Sequence, residues 1–198
     1  MDSYFTISKP SQAQLREKMS RFISFAIPVA SAEEAKAEIA RKQNEYHDAR
    51  HVCWAYMIGP ERKQFLSSDN GEPSGTAGKP ILGQINSFNL TDIVVIVVRY
   101  FGGIKLGTSG LIAAYREAAR LALSEAEIIE KHQTARFSFT FPYLSMNEVM
   151  RIAKMPQVRV ISQQFDNSCS MTIECNLADS PMVEARLTSV SGLTLLPR

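Results

Sequence analysis

The sequence predicts an α+β protein of two domains, residues 1–130 and 131–198. Three observations carry this. Ile93 to Val98 are six successive apolar residues between two glycine-rich loops. They read as a strand buried on both faces, because a half-exposed strand would alternate. Helical periods with start signals follow each of the two loops. Beyond residue 130 the pattern restarts as strand, helix, strand, strand, helix, strand.

The 198-residue chain suffices for one large domain or two small ones. With 45% apolar and 21% charged residues it falls in the ordinary globular range, and a formal charge of +2 does not by itself argue for nucleic acid. Any basic face must come from clustering. Cys53, Cys169 and Cys175 are too few and too unevenly placed for a disulfide framework, so a cytoplasmic protein is expected. The N-terminal M-D-S-Y-F-T-I-S-K-P lacks a signal-peptide apolar core. No apolar run approaches the roughly 20 residues of a membrane helix.

Taken in order, Tyr4–Ile7 reads as a short edge strand ending at Lys9-Pro10, and Gln14–Lys18 leads into the next strand. Phe22, Ile23, Phe25 and Ile27 mark a strand closed by Pro28. Ser31 with Glu34 forms a capping box that satisfies orphan amides at a helix start. That helix runs to about Asn44. Val52–Ile58 is a strand bounded by Gly59-Pro60. Pro80 starts a helix with Ile81, Leu82, Ile85 and Phe88 as its apolar stripe. After the central strand, Thr108 or Ser109 caps a second helix, whose buried stripe is Leu111, Ile112, Tyr115, Ala118, Ala119, Ala122 and Leu123. Ile128–Thr134 reads as the boundary. Phe137, Phe139 and Phe141 alternate with Ser138 and Thr140 in a half-buried strand. A helix from Ser145 to Pro156, two strands turned at Asp166-Asn167, a helix from Ser180-Pro181 and a strand near Leu193–Leu196 complete a βαββαβ order, the split-βαβ plan. The helix-side face of that sheet must be covered, which leaves the other free for a ligand such as RNA bases.

Eight of the ten glycines fall between Gly71 and Gly110, around the central strand. Such loops admit a close backbone or ligand. The first is not a Walker A loop: Gly78-Lys79 fits G-x-x-x-x-G-K-[ST], but Pro73 replaces the first glycine and Pro80 the hydroxyl. Gly75, Thr76, Gly78 and Lys79 instead lead into a helix N-terminus, which suits an anion. In the second loop Arg99, Tyr100, Gly102, Gly103, Lys105 and Thr108 are the candidates. The expectation is one shared anion pocket for a phosphate, a nucleic-acid backbone or an acidic peptide group. Asp69 and Glu72 are open to three roles: cation binding, acid–base work, or pairing with Lys79, Arg99 or Lys105. No metal site is expected. His47, His51 and Cys53 lack a fourth ligand, and i, i+2 positions on a strand are about 6–7 Å apart, which also argues against a Cys–His nucleophile pair.

The segments S-D-N-G-E-P-S-G-T-A-G-K-P-I-L and V-V-R-Y-F-G-G-I-K-L-G-T-S-G-L-I-A-A-Y resemble the signature of the IMPACT family, the YigZ-like proteins. The upstream S-R-F and A-R-H-V-C-W-A-Y match its pattern too, and the resemblance covers about residues 15–125. The chain departs at Asn70, where a second acid is usual, and at Ser109, where glycine is usual. The resemblance implies a two-layer α/β first domain of ribosomal-protein domain-2-like type, as in the fourth domain of elongation factor G. It implies a ferredoxin-like second domain similar to that factor's fifth. Eukaryotic relatives are translational regulators that act by binding. The expected function is therefore non-enzymatic and translation-linked, without a cofactor. The expected partner is RNA, the ribosome or a translation-regulating protein. The alternative is a hydrolase for a phosphorylated or peptide substrate at the same pocket, with Asp69, Glu72 and His51 as its catalytic groups.

Overall fold

The computed structural model describes residues 3–166 and 168–197. The chain divides into two compact units, Tyr4–Lys131 and a second made chiefly of His132–Arg198.

In the first unit the strands are β1 (Ser3–Ile7), β2 (Ser11–Glu17), β3 (Ser20–Pro28), β4 (His51–Ile58), β5 (Gln64–Ser68), β6 (Ile93–Tyr100) and β7 (Ile128–His132). The helices are α1 (Ala32–Glu45), α2 (Gly78–Ser87) and α3 (Gly107–Ser124). Five strands form an antiparallel sheet in the order β2-β3-β6-β4-β5. β6 is its centre and is buried from Ile93 to Arg99. Ile93, Val95 and Val97 pack against α2 and α3, while Val94, Ile96 and Val98 pack against α1 through Ala32, Ala35 and Ile39. Burying six such side chains is worth roughly 10–15 kcal/mol of gross transfer free energy. The central position of β6 therefore explains its unbroken apolar run. Beyond the two layers expected, α1 adds cover to the far face of the sheet.

Local signals work as read at some ends and not at others. At the start of α1 the Ser31 hydroxyl accepts the Glu34 amide, while the Glu34 carboxylate accepts the amide of Ala30, one residue further back than a standard box. Neither Thr108 nor Ser109 caps α3, whose first turn has no side-chain cap. The segment 128–132, within the expected boundary, is a strand paired with β1.

The β2–β3 hairpin turns through Lys18 and Met19 at φ 43° and 67°. Two positive φ values in a two-residue turn are the type I′ pattern, which favours Asn-Gly. Holding two ordinary residues there costs of order 1 kcal/mol each. The turn is seated on the second glycine loop: a Cβ on Gly102 would lie 2.1 Å from the Met19 carbonyl carbon and oxygen. Gly102→Ala is thus expected to lower stability by about 1–3 kcal/mol, read as a drop in the urea midpoint with an unchanged m-value.

The second unit contains β8 (Thr134–Phe141), α4 (Met146–Ala153), β9 (Val158–Phe165), β10 (Cys169–Asn176), α5 (Ser180–Thr188) and β11 (Thr194–Leu195). Its sheet order, β11-β8-β10-β9, is that of a ferredoxin-like βαββαβ unit. Phe137, Phe139 and Phe141 face the helices with Val149, Ile152, Val183 and Leu187. On the opposite face the paired positions of β8 and β10 are Ser138 with Thr172, Thr140 with Ser170, and Arg136 with Glu174. The aromatic side chains of β8 are all spent on the core, so these strands offer no ring for base stacking there, contrary to the expectation. Glu174 instead accepts from Arg136 at 2.9 Å and Arg159 at 2.6 Å, and these bonds hold its carboxyl below the usual range.

Candidate functional site

Asp69 lies just beyond the end of β5, and its carboxylate organises the first glycine loop. Oδ2 accepts the Gly75 amide at 2.8 Å, and Oδ1 accepts those of Ala77 and Gly78 at 2.9 and 2.8 Å. The α2 N-terminus is thereby capped from eight residues upstream of Ala77, which has no capping side chain of its own. Burial pushes the Asp69 carboxyl up, but the amides of Gly75, Gly78 and Ala77 outweigh it and hold the group below the usual carboxylate range. Gly78 is needed where the loop closes, since a Cβ there would meet the Ser68 backbone nitrogen at 2.8 Å. The anion site expected at Gly75–Lys79 is therefore filled by the chain's own carboxylate.

Glu72, three residues on, turns inward and its side chain is only 4% exposed. Its Oε1 accepts from Arg99 Nη1 at 2.6 Å and from the Tyr115 hydroxyl at 2.8 Å. Arg99 ends the odd-numbered face of β6 and has 6% of its side chain exposed. Its guanidinium carbon is 5.6 Å from the ring centres of both Phe22 and Phe101. Cys53 donates to the Asp69 carbonyl and reaches the Tyr115 oxygen at 3.4 Å. Burial pushes the Cys53 thiol up to about 12, so it carries no reactive thiolate at neutral pH. Burial likewise raises Tyr115. His51 Nδ1 is 2.8 Å from the Asn70 carbonyl. A carbonyl only accepts, so Nδ1 carries the proton and Nε2 faces Glu72 Oε1 at 3.9 Å, too far for a hydrogen bond. Asn70 itself accepts the Val52 amide through Oδ1, which ties the loop to β4.

His51, Glu72 and Arg99 form the floor of a pocket of about 400 Å³, with Cys53 and Tyr115 packed behind them. Its wall is Pro73 on one side and Phe101, Lys105, Leu106, Thr108 and Leu111 on the other, with Arg50 at the β4 end. The two loops do meet, but with only part of the expected set. His51, Glu72, Arg99, Lys105 and Thr108 line the pocket together. Gly75 and Lys79 line a separate hollow with Arg116. Thr76 is buried and donates to the Pro73 carbonyl at 2.6 Å. Tyr100 lies on the opposite sheet face, where its hydroxyl donates to Asp48 and Arg21 stacks on its ring, because successive strand residues alternate. Gly102 receives the hairpin and Gly103 supplies a positive φ of 91°, so both shape the loop. His47 is remote from the pocket and sits beside the Asn44 carbonyl. Among the described residues no group of three His, Cys, Asp or Glu is placed to hold a metal.

Sequence reasoning missed Arg50 and the polar duty of Tyr115. Tyr115 was legible only as part of the α3 stripe. Its type was the signal, since a buried tyrosine hydroxyl needs a partner.

A glycine-flanked pocket on an antiparallel sheet, followed by a ferredoxin-like unit, defines a two-unit α+β protein with a preformed polar site. The model of the Impact N-terminal domain matches residues 18–123. The chain belongs to the IMPACT family. It is 39% identical to an IMPACT family member of Haemophilus influenzae over 88% of this chain and 86% of that one. It is 31% identical to the Escherichia coli IMPACT family member YigZ over 96% and 95% of the two chains. A solved structure described as a hypothetical protein superposes with a TM-score of 0.77 at 31% identity, covering 100% of this chain and 98% of that one. Rat Protein IMPACT is 30% identical over 48% of this chain and 31% of its own length. Among the described residues no helix is long and apolar enough to cross a membrane.

Proposed function

We propose that this protein is a non-enzymatic, translation-linked binding protein of the cytoplasm. Its pocket takes an anionic group of RNA, free or in the ribosome. The link to translation comes from the family resemblance. The observation that carries the binding reading is the charge arrangement. Inside the pocket the acid is already matched, Glu72 by Arg99. At the rim Arg50 and Lys105 are exposed and unpaired among the described residues, beside Phe101, a residue that is 46% exposed. Cations that track a phosphate backbone next to an aromatic face are the elements of single-strand recognition. The α2 amides take no part, since Asp69 occupies them. The same pairing speaks against acid–base work: Glu72 is held by two donors, and Asp69 by three amides.

The test is the salt dependence of binding to RNA or ribosomes. Each phosphate neutralised on a single strand contributes about −0.7 to the log–log slope. Arg50→Ala with Lys105→Ala is expected to make the slope shallower by about 1.4. A wild-type affinity flat in salt would count against this reading. So would hydrolysis of phosphoesters or dipeptides that Glu72→Gln abolishes. Partners pulled from lysate that survive nuclease would point to a protein ligand instead.

A further inference from the structure

The tip of the β2–β3 hairpin carries features that packing does not explain. Arg16, Lys18, Met19 and Arg21 line a hollow of about 450 Å³ there. Arg16 and Arg21 are direct cross-strand partners, a like-charge pair that weakens the hairpin. Arg21 is stacked 4.6 Å from the centre of the Tyr100 ring, which fixes its position, and Arg16 and Lys18 are unpaired among the described residues. Glu17 is the only acid between Leu15 and Phe22. It pairs with Ser20 and has the opposite side-chain parity to Arg16. Lys18 and Met19 hold the two positive-φ positions where Asn-Gly would sit without strain, and Met19 is 77% exposed. Lys18 and Met19 are thus kept at a turn that Asn-Gly would make more stable, beside an arginine pair that repels. Strain of this kind points to use.

We propose that the hairpin tip is a second contact for single-stranded RNA, resting on the RNA reading of the pocket given above. Arg16, Lys18 and Arg21 meet backbone phosphates, and Met19 packs on a base or ribose. An unneutralised arginine pair, with Arg21 held by its ring stack, suits phosphate oxygens, which a guanidinium fork engages bidentately. Met19 is seated on Gly102, the residue after Phe101 in the pocket wall, while Arg21 and its cross-strand partner Arg16 lie on the Tyr100 face of the sheet, so a strand leaving the pocket would pass over the turn to reach them. A single projecting apolar side chain is too little for a membrane surface, where binding scales with buried apolar area. The tip also lacks the apolar centre of a protein interface, whereas nucleic-acid interfaces are polar and strongly basic.

The experiment uses the full chain and a fluorescein-labelled, mixed-sequence RNA single strand, titrated across potassium chloride concentrations. The turn variant Lys18→Asn with Met19→Gly is expected to raise Tm by about 2–4 °C while weakening RNA binding and reducing the salt slope by about 0.7. Arg16→Gln with Arg21→Gln is expected to reduce the slope by about 1.4. A purely structural turn would raise Tm and leave binding untouched. Wild-type affinity and slope in both variants would overturn the proposal. If Arg50→Ala with Lys105→Ala still weakened binding in that case, the pocket reading would stand alone. Failure of the wild type to bind RNA at all would sink both readings. Binding to phosphatidylserine vesicles that the turn variant loses, with RNA binding intact, would also overturn the hairpin proposal.

Discussion

Glu72→Ala is expected to lower the unfolding free energy of the first unit by about 3–5 kcal/mol, the cost of leaving a buried charge without its partner. Arg99 is 6% exposed and donates to Glu72 at 2.6 Å, and the Tyr115 hydroxyl shares the same oxygen. Truncation strands a guanidinium and a hydroxyl together. Arg99 Nε already has no hydrogen-bond partner among the described residues, so the site has little spare capacity to compensate. Glu72→Gln keeps an acceptor for Tyr115 but not the neutralising charge, and should lose less. Glu72→Leu combined with Arg99→Met removes both charges and is expected to recover most of the loss, as buried pairs often do when replaced by apolar groups. Urea unfolding of Glu72→Leu, Arg99→Met and the double variant forms the cycle. A loss under about 1 kcal/mol for Glu72→Ala would mean that the pair is not holding the pocket floor.

Asp69→Ala is expected to cost about 3 kcal/mol or more, because three amides lose one shared acceptor and each buried unsatisfied donor costs about 1–3 kcal/mol. Ala77 and Gly78 are buried, so water replaces the carboxylate poorly there. The pH dependence follows from the depressed Asp69 carboxyl. A group whose folded pKa is lowered contributes in full above its unfolded value, near 3.9 for Asp. That contribution is lost as pH falls through the lower folded value. The stability gap between wild type and Asp69→Asn should therefore be constant above about pH 5 and shrink below about pH 4. A gap that widens on acidification would contradict the capping role. Amide exchange at Gly75, Ala77 and Gly78 offers a local readout, with faster exchange expected in the variant.

Both substitutions touch residues that the sequence offers as ligand or acid–base groups. Their composition and spacing pointed to an anion site between two glycine loops. The loops do converge, at Pro73 on one side and Phe101 to Thr108 on the other. Yet the anion at the α2 N-terminus is Asp69 itself. A helix start rich in free amides looks the same in sequence whether a ligand or a distant side chain will fill it. Tyr100 belongs to the far face because strand side chains alternate, and the parity of Arg99 already implied this. The strand β5 is absent from the sequence prediction. As a mostly exposed edge strand it has no apolar periodicity to announce it.

By itself the sequence determined which segments are buried: the two-sided run of β6, the alanine-rich face of α3, the alternating phenylalanines of β8 and the βαββαβ order of the second unit. Each is written locally, because burial imposes a period of about 3.6 on a helix and 2 on a strand. Tertiary structure alone decided which polar groups meet. Glu72 finds Tyr115 across 43 residues and Arg99 across 27. No period encodes such a meeting, since it depends on how the helices and strands close on one another. In the dry space they leave, every charge must be matched within the chain or left for a partner.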